Sequence, residues 1–110
     1  MNLTYKSKKL EKTLNDDVKL LKTYGDIARK LKQRHDDLID APPTLQDIKD
    51  NPTLRLHQLI GKRKLDWAIT IRRNWRLCFQ VVGDIPHDDD GHVLYIMITD
   101  VKVISVEDYH

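Results

Sequence analysis

The chain lacks the residues and segments on which several protein classes depend. Its one cysteine, Cys78, cannot form an internal disulfide, and no cysteine or histidine spacing of a zinc site is present. No apolar run approaches the roughly 18 residues that a membrane-spanning helix needs, and the mean hydropathy is −0.56. Four scattered glycines cannot build a phosphate-binding loop. The N-terminal segment has no apolar core of a signal peptide. We therefore expect a cytoplasmic protein without membrane association, cofactor or bound metal.

Charge is present in quantity but unevenly distributed. The 110 residues, of which 33% are charged, predict a single domain over residues 1–110 with a net charge of +2. Residues 51–82 hold seven basic residues against Asp66 alone, whereas residues 83–110 hold seven acidic residues against Lys102. A basic block followed by an acidic block indicates that the middle of the chain meets a polyanion, or that the two blocks neutralise each other across a sheet.

The first half of the chain reads as helical. Residues 3–5 predict a short edge strand, and Ser7 is a suitable N-cap for a helix over 8–14. From Asp16 onward, apolar residues recur in steps of three and four, which predicts an amphipathic helix interrupted at Gly25. The members of this stripe are Val18, Leu20, Leu21, Tyr24, Ile27, Ala28, Leu31, Leu38 and Ile39. Ala41-Pro42-Pro43 should end the helix, and a further helical turn or two is expected over residues 44–50.

After residue 53 the apolar pattern changes to a period of two, which is typical of strands. Residues 67–72 and 75–81 predict two half-buried strands joined by a tight turn at Arg73-Asn74, where asparagine tolerates positive φ. A shorter strand over 55–60 and a longer strand over 93–106 complete the set. The predicted fold class is α+β: a short strand and helices, then a mainly antiparallel four-stranded meander with one sheet face covered by the helices.

Strand alternation predicts an arginine on the uncovered face. If Trp75, Leu77 and Phe79 face the helices, Arg76 points to the opposite side. The same alternation places Arg72 opposite the apolar residues of its own strand. Two arginines on an open face are the electrostatic footprint of a phosphate site. Solvated strand faces that bind nothing are the alternative.

Four segments in a fixed order carry a resemblance to a known family. They read RLHQLIGKR from Arg55, WAI from Trp67, NWRLCF from Asn74 and EDYH from Glu107. This order resembles the HigB-type toxins of the RelE/ParE superfamily of bacterial toxin–antitoxin systems, and residues 3–12 resemble the start of one branch. The likeness covers essentially the whole chain apart from the acidic loop near 83–92. It implies a RelE/ParE-like fold.

The resemblance also implies an activity. Its HigB and RelE branches cut messenger RNA in the ribosomal A site without metal, by attack of the ribose 2′-hydroxyl on the adjacent phosphorus. The positions that match the family's catalytic motifs are His57, Arg76, Asp108, Tyr109 and His110. The histidines would transfer protons and Arg76 would bind the phosphate. Asp108 would orient His110 or Tyr109, or accept a proton itself, while Tyr109 would donate a hydrogen bond or stack on a base.

Binding partners follow from the same resemblance. The basic residues expected to bind messenger or ribosomal RNA are Arg55, Lys62, Arg63, Lys64, Arg72 and Arg73. The expected partners are the ribosome, messenger RNA and a cognate helix-turn-helix antitoxin similar to HigA. The chain would be a monomer alone and part of a hetero-oligomer with its antitoxin.

One departure from the family pattern keeps alternatives open. Ile60 stands where the family usually has a lysine, and Lys62 or Arg63 is our hypothesis for its replacement. A catalytically weakened member that acts mainly by binding ribosome or antitoxin is therefore one alternative. A ParE-like toxin that inhibits gyrase is the other, although such toxins lack the terminus formed by residues 108–110.

Overall fold

A computed structural model of the protein describes residues 1–40 and 43–109. It contains a five-stranded mixed sheet with helices packed on one face. The strands are β1 (Asn2–Tyr5), β2 (His57–Gln58), β3 (Asp66–Arg72), β4 (Trp75–Val81) and β5 (Asp100–Asp108). They are ordered β1-β5-β4-β3-β2; β1 pairs with β5 in parallel and every other neighbouring pair is antiparallel.

The helices follow the predicted starts and stops. They are α1 (Lys8–Leu14), α2 (Asp17–Tyr24), α3 (Ala28–Asp40) and α4 (Gln46–Lys49). The Ser7 hydroxyl accepts a hydrogen bond from the Leu10 amide at 3.1 Å, as an N-cap does. Gly25, at φ +58°, ends α2 and begins the 3₁₀ turn Gly25–Ile27 that leads into α3. Ala41 and Pro42, which were expected to end α3, lie outside the described residues. None of the described helices is long and apolar enough to span a membrane.

The sheet core forms where the period-two residues of β3 and β4 meet the helices. The side chains of Trp67, Phe79, Leu31 and Leu38 are almost fully buried, and Val101 of β5 completes this layer. The α+β fold and the antiparallel meander of β2 to β5 are therefore confirmed. The short edge strand predicted over residues 3–5 is also confirmed: β1 joins the meander as its fifth strand, beside β5.

Two predicted strands differ in extent from the structure. The strand over 55–60 shrinks to β2, and a 3₁₀ turn over Gly61–Arg63 follows it closely. The strand over 93–106 was wrong in its first part, because Tyr95–Met97 form a 3₁₀ turn and β5 begins only at Asp100. Tyr95 packs edge-to-face on Trp67 with ring centroids 5.7 Å apart. An apolar turn that packs on the core has the composition of a buried strand without its geometry.

A register shift turns Arg72 toward the helices. A β-bulge between Thr70 and Arg72 places Arg72 opposite Trp75, whose ring packs on Tyr24 of α2. Directly paired residues point to the same face, and the Arg72 guanidinium lies 3.7 Å from the Asp26 carboxylate. The prediction that Arg72 shares the open face with a second arginine was wrong, because a bulge interrupts the alternation on which it relied.

The tight turn between β3 and β4 lies where it was predicted, but the residue in the left-handed region is different. Arg73 has φ +53°, and Asn74 does not have positive φ. Arginine, and not the asparagine expected from residue preference, therefore occupies the left-handed position.

Candidate active site

The sheet face that points away from the helices is only partly covered. Ala68 and Cys78 are buried at its centre beneath Leu59 and Ile104. Two polar cavities flank this small apolar cluster. We call them the Glu107 cavity, of about 380 Å³, and the His57 cavity, of about 490 Å³.

Glu107 of β5 is the centre of a hydrogen-bonded ion cluster in the first cavity. Both terminal nitrogens of Arg63 donate to its carboxylate, at 2.6 Å and 2.7 Å, in the bidentate geometry that a guanidinium fork favours. The Ser105 hydroxyl donates to the same carboxylate, and Nη2 of Arg76 donates to its Oε1 at 3.2 Å. These donors, Arg63 foremost, hold the pKa of Glu107 far below its usual value although burial opposes this. The carboxylate is therefore charged at any physiological pH.

Asp66 extends the cluster toward β3. Its Oδ2 accepts a bond from Nε of Arg63 at 2.8 Å, and its Oδ1 accepts one from the Gln80 amide at 2.7 Å. Burial raises the pKa of Asp66, but the hydrogen bonds from Gln80 and Arg63 outweigh it and the net pKa is lowered. The Arg63 guanidinium thus bonds two carboxylates at once, and these contacts raise its pKa.

Arg76 lies between the ion cluster and the end of β5. Its side chain is 15% exposed, and its Cζ lies 4.4 Å from the ring centroid of Tyr109, a cation–π distance. Among the described residues its buried Nε has no hydrogen-bond partner. The backbone amide of Tyr109 donates to the Asn74 carbonyl at 3.0 Å, which fixes the ring beside the β3–β4 turn. Arg76 is therefore held in place and still has free donors.

His57 enters the second cavity from the edge strand. It pairs with Ala68 and so faces the open side. Its Nδ1 lies 2.7 Å from the Arg55 carbonyl. Because a carbonyl only accepts, Nδ1 carries the proton, and Nε2 of the neutral ring is left as an acceptor. Arg55 adopts a left-handed φ of +52° directly after the 3₁₀ turn Pro52–Leu54, and this conformation aims its carbonyl at the ring.

The His57 cavity joins segments that are distant in sequence. His57 and Thr70 line it together with Tyr109, and Thr70 is the direct β-sheet partner of Arg76. A proton acceptor and a phenol ring thus line one cavity, and the Arg76 guanidinium adjoins it through its contact with the Tyr109 ring. Such a set can take a proton, stabilise negative charge on phosphorus and stack on a base.

Comparison with known proteins identifies the family to which this fold and site belong. The family model of the HigB-like toxins, described as RelE-like toxins of the type II toxin–antitoxin system HigB, matches residues 3–92. The chain belongs to this family. The endoribonuclease HigB of Proteus vulgaris is 30% identical over 79 residues, which cover 70% of each chain. A YoeB/ParE toxin from Agrobacterium tumefaciens superposes over both full chains with a TM-score of 0.54 at 16% identity, a likeness of fold alone.

The family match includes two of the residues that form the site and ends before the third. Residues 3–92 contain His57 and Arg76, whereas Tyr109 lies beyond them. Asp108, the last residue of β5, pairs with Trp75 and so lies on the face opposite Glu107. His110 lies outside the described residues. Of the five residues expected to be catalytic, the structure thus brings together His57, Arg76 and Tyr109.

The basic residues expected to bind RNA in this HigB-like toxin are distributed over different surfaces. Arg55, Lys62, Lys64 and Arg73 are exposed. Arg63 is engaged by two carboxylates and Arg72 contacts Asp26. Ile60, at the family's lysine position, is 90% exposed.

Sequence reasoning missed the structural role of Glu107 and Asp66. The sequence did indicate a special position for Asp66, because it is the only acidic residue in 51–82, a segment that holds seven basic residues. For Glu107 the signal was its alternation with Ser105 on a strand that had to pair with a neighbour. The pairing itself, Arg76 with Glu107, is visible only in three dimensions.

One loop carries residues of metal-ligand type. Ligand atoms of Asp88, Asp90 and His92 lie within 4.8 Å of one another, and all three residues are exposed. The Asp88 Oδ1 accepts the backbone amides of Asp90 and His92, both at 2.9 Å. The carboxylate therefore serves to close the loop, and we assign no metal site there.

Proposed function

We propose that this HigB-like toxin is an endoribonuclease that cleaves messenger RNA in the ribosomal A site, without metal, and so inhibits translation in the cytoplasm. The observation that carries the proposal is that Tyr109 lines one cavity with His57 and packs its ring on the Arg76 guanidinium. The name of the Proteus vulgaris relative, an endoribonuclease, supports the same reaction class.

The cleavage chemistry follows from the free atoms of the site. Nε2 of His57 takes the proton of the ribose 2′-hydroxyl, whose oxygen then bonds to the adjacent phosphorus. The bond from phosphorus to the 5′-oxygen breaks, and that oxygen receives a proton, for which we propose His110 as the donor. The products are a 2′,3′-cyclic phosphate and a 5′-hydroxyl.

Arg76 stabilises the charge that develops on phosphorus. Arg63 makes the bidentate contact with Glu107, so Arg76 shares a single bond of 3.2 Å with that carboxylate. Its remaining donors can reach the non-bridging oxygens of a phosphate. Tyr109 supports the guanidinium through its ring and can stack on a base that has left the RNA helix.

The partners of the reaction are proposed on the same basis. We propose a cognate HigA-like helix-turn-helix antitoxin, the ribosome and messenger RNA, with the chain monomeric when alone. Exposed Arg55, Lys62, Lys64 and Arg73 would contact ribosomal or messenger RNA.

Ile60 supports a second candidate, a toxin with weak cleavage that acts mainly by binding. Its side chain is exposed and lies two residues after β2. A lysine at this position would add a positive charge near the bound phosphate. Arg63 is held away from this role by its two carboxylates. Exposed Lys62 is the better placed substitute.

Primer extension on a programmed bacterial ribosome, beside the same messenger free in solution, tests the proposal. We expect cuts in the A site only with ribosomes and with chelator present. Arg76→Ala should lower the rate about 10²–10³-fold, and His57→Ala about 10²–10⁴-fold. Arg29→Ala, an exposed arginine on α3, is the matched control and should cut at the wild-type rate.

The outcomes separate the candidates. Full activity of Arg76→Ala, or equal cutting of free messenger, would contradict the proposed mechanism. Absence of cutting together with wild-type cosedimentation on ribosomes would favour the binding candidate, and Ile60→Lys should then restore cleavage.

A further inference from the structure

Two arginines on the open face share one carboxylate unequally. Oε1 of Glu107 accepts a hydrogen bond from Nη1 of Arg63 at 2.6 Å and one from Nη2 of Arg76 at 3.2 Å. Its Oε2 accepts Nη2 of Arg63 at 2.7 Å and the Ser105 hydroxyl. Arg63 thus takes both oxygens of the carboxylate, and Arg76 is left with one hydrogen bond at the long end of the usual range.

The backbone and a second carboxylate fix Arg63 in this position. It ends the 3₁₀ turn Gly61–Arg63, and Gln58 of β2 ties that turn down by donating its side-chain amide to the Lys64 carbonyl. Nε of Arg63 donates to Oδ2 of Asp66 at 2.8 Å. Each nitrogen of this guanidinium therefore donates to a carboxylate of the chain itself, which disfavours a direct role of Arg63 in binding RNA.

Arg76 has the opposite balance of donors. Its buried Nε has no hydrogen-bond partner among residues 1–40 and 43–109, and its Nη2 makes the single bond to Glu107. The Tyr109 ring lies 4.4 Å from its Cζ and donates nothing to it and accepts no hydrogen bond in this geometry. Arg76 is therefore placed by contacts that leave its donors for a phosphate.

Without Arg63, Glu107 would compete with the substrate for Arg76. A guanidinium and a carboxylate prefer to meet through two parallel hydrogen bonds, and both oxygens of Glu107 would then be open to Arg76. Arg76 lies between its strand partners Glu107 and Thr70, so a turn toward Glu107 is a turn away from the His57 cavity, which Thr70 lines. The cluster would also keep two carboxylates against one guanidinium, and this net negative charge would repel a phosphate.

We propose that Arg63 is a positioning residue: by holding both oxygens of Glu107 and neutralising its charge, it keeps the Arg76 guanidinium available to the phosphate of the substrate. The proposal rests on the proposed function for the identity of that phosphate. It also separates Arg63 from exposed basic residues such as Lys62, which would contact RNA directly.

Arg63→Lys tests the proposal, because it keeps the positive charge and removes the planar fork. An ammonium is a point charge that cannot hold both oxygens as the fork does, so one oxygen of Glu107 becomes available to Arg76. The dependence of the cleavage rate on the concentration of programmed ribosomes gives kcat and KM. These are measured for Arg63→Lys, for Arg63→Lys/Glu107→Gln and for the matched control Arg29→Lys, at an exposed arginine of α3.

We expect Arg63→Lys to lower kcat about 10- to 100-fold with KM unchanged, a smaller loss than the roughly 10²–10³-fold expected when a donor itself is removed. Adding Glu107→Gln should recover most of the lost rate, because a neutral carboxamide no longer draws the Arg76 guanidinium. In urea this double variant should be no more stable than Arg63→Lys, so the recovery cannot come from stability. Arg29→Lys should cut at the wild-type rate.

A second measurement does not depend on cleavage. NMR of protein labelled with isotopic arginine reports how fast the Arg76 guanidinium rotates, and Arg76→Lys assigns its signal. Rotation should be slower in Arg63→Lys than in the wild type, because two hydrogen bonds to Glu107 replace one, and it should be fast again in Arg63→Lys/Glu107→Gln. If the wild type cuts no messenger, the proposed function fails, and the rotation rates still decide whether Arg63 positions Arg76.

Three results would overturn the proposal. The first is unchanged rotation of Arg76 in Arg63→Lys, whatever its kcat. The second is a raised KM with kcat unchanged, which would make Arg63 a direct contact of RNA. The third is a loss of kcat that Glu107→Gln does not reverse, which would restrict Arg63 to a role in folding.

Discussion

At the scale of single residues, Glu107 has the largest share in ordering the open face. It accepts hydrogen bonds from Arg63, Ser105 and Arg76. Through Arg63 it is joined to Asp66. One carboxylate therefore connects the 3₁₀ turn before β3 with the start of β4 and the end of β5.

We predict that Glu107→Gln lowers the free energy of unfolding at pH 7 by about 2 kcal/mol, since hydrogen bonds to charged groups are lost. Urea denaturation measures the change. Glu11→Gln, at the only other glutamate, on α1, is the matched control and should change stability by less than about 0.5 kcal/mol.

Glu107→Gln should also change how the free energy of unfolding depends on pH. The pKa values of Glu107 and Asp66 are lowered in the folded state, so their contribution is complete above the unfolded values and is lost as the pH falls below about 4.5. Wild-type stability should therefore drop between pH 5 and 3, and the drop should be smaller in Glu107→Gln. An identical pH profile in both proteins would contradict this assignment.

Sequence reasoning succeeded at this scale where the alternation of one strand fixed the face of a residue, and it failed where register decided the residue's neighbours. Arg76 was placed on the open face by alternation alone, and the structure agrees. Arg63 and Glu107 are 44 residues apart, and no periodicity reports which residues of two strands lie opposite each other. Arg72 was misplaced because a bulge leaves no trace in the apolar pattern.

At the scale of elements, α2 depends on its cap. The Asp16 side chain accepts two backbone amides, from Val18 at 3.0 Å and from Lys19 at 3.1 Å. We predict that Asp16→Ala lowers stability by about 1 kcal/mol because these amides lose their acceptor. Asp17→Ala, which removes only the exposed ion pair with Lys32, should lose less than about 0.5 kcal/mol. Thermal unfolding of both variants measures these changes in stability. Equal losses of stability in the two variants would argue against the capping role of Asp16.

The predicted apolar stripe was right in part. Leu20, Leu31 and Leu38 are buried as expected, but Val18 and Leu21 are more than 60% exposed. The stripe was predicted as a helix interrupted at Gly25, and the 3₁₀ turn Gly25–Ile27 confirms the interruption. The side of α2 that carries Leu20 faces the core, whereas Val18 and Leu21 lie off that side.

At the scale of the whole molecule, a buried histidine joins the sheet to the helices. Nε2 of His35, on α3, lies 2.6 Å from the hydroxyl of Tyr5, on β1. Burial lowers the pKa of His35, against a smaller opposing effect of Asp36. The imidazole is therefore neutral in the folded state at neutral pH.

The buried, neutral state of His35 leads us to predict a second pH dependence of the folding stability. The unfolded chain binds the proton more readily, so stability should fall as the pH drops below about 6.5. In His35→Phe that decline between pH 7 and 5.5 should disappear, whereas His87→Asn, at an exposed histidine, should keep it. Urea denaturation at a series of pH values measures both, and a decline that survives in His35→Phe would assign it to another group.

The helical layer and the meander were predictable because their patterns are local. The parallel pairing of β1 with β5 was not, since it joins residue 2 to residue 100. Four residues with weak alternation carry no information about their partner. The candidate site was unpredictable for the same reason, because Tyr109 lines a cavity with His57 only once that long-range sheet has formed.

The position of β5 has a consequence for the timing of synthesis. It is the last described strand in the chain, yet it lies inside the sheet, between β1 and β4. A nascent chain can form its early helices while it emerges, but β1 has no strand to pair with until residues 100–108 have left the exit tunnel. The sheet therefore stays incomplete until β5 has emerged, and Tyr109 packs on Arg76 only after β5 has paired with β4.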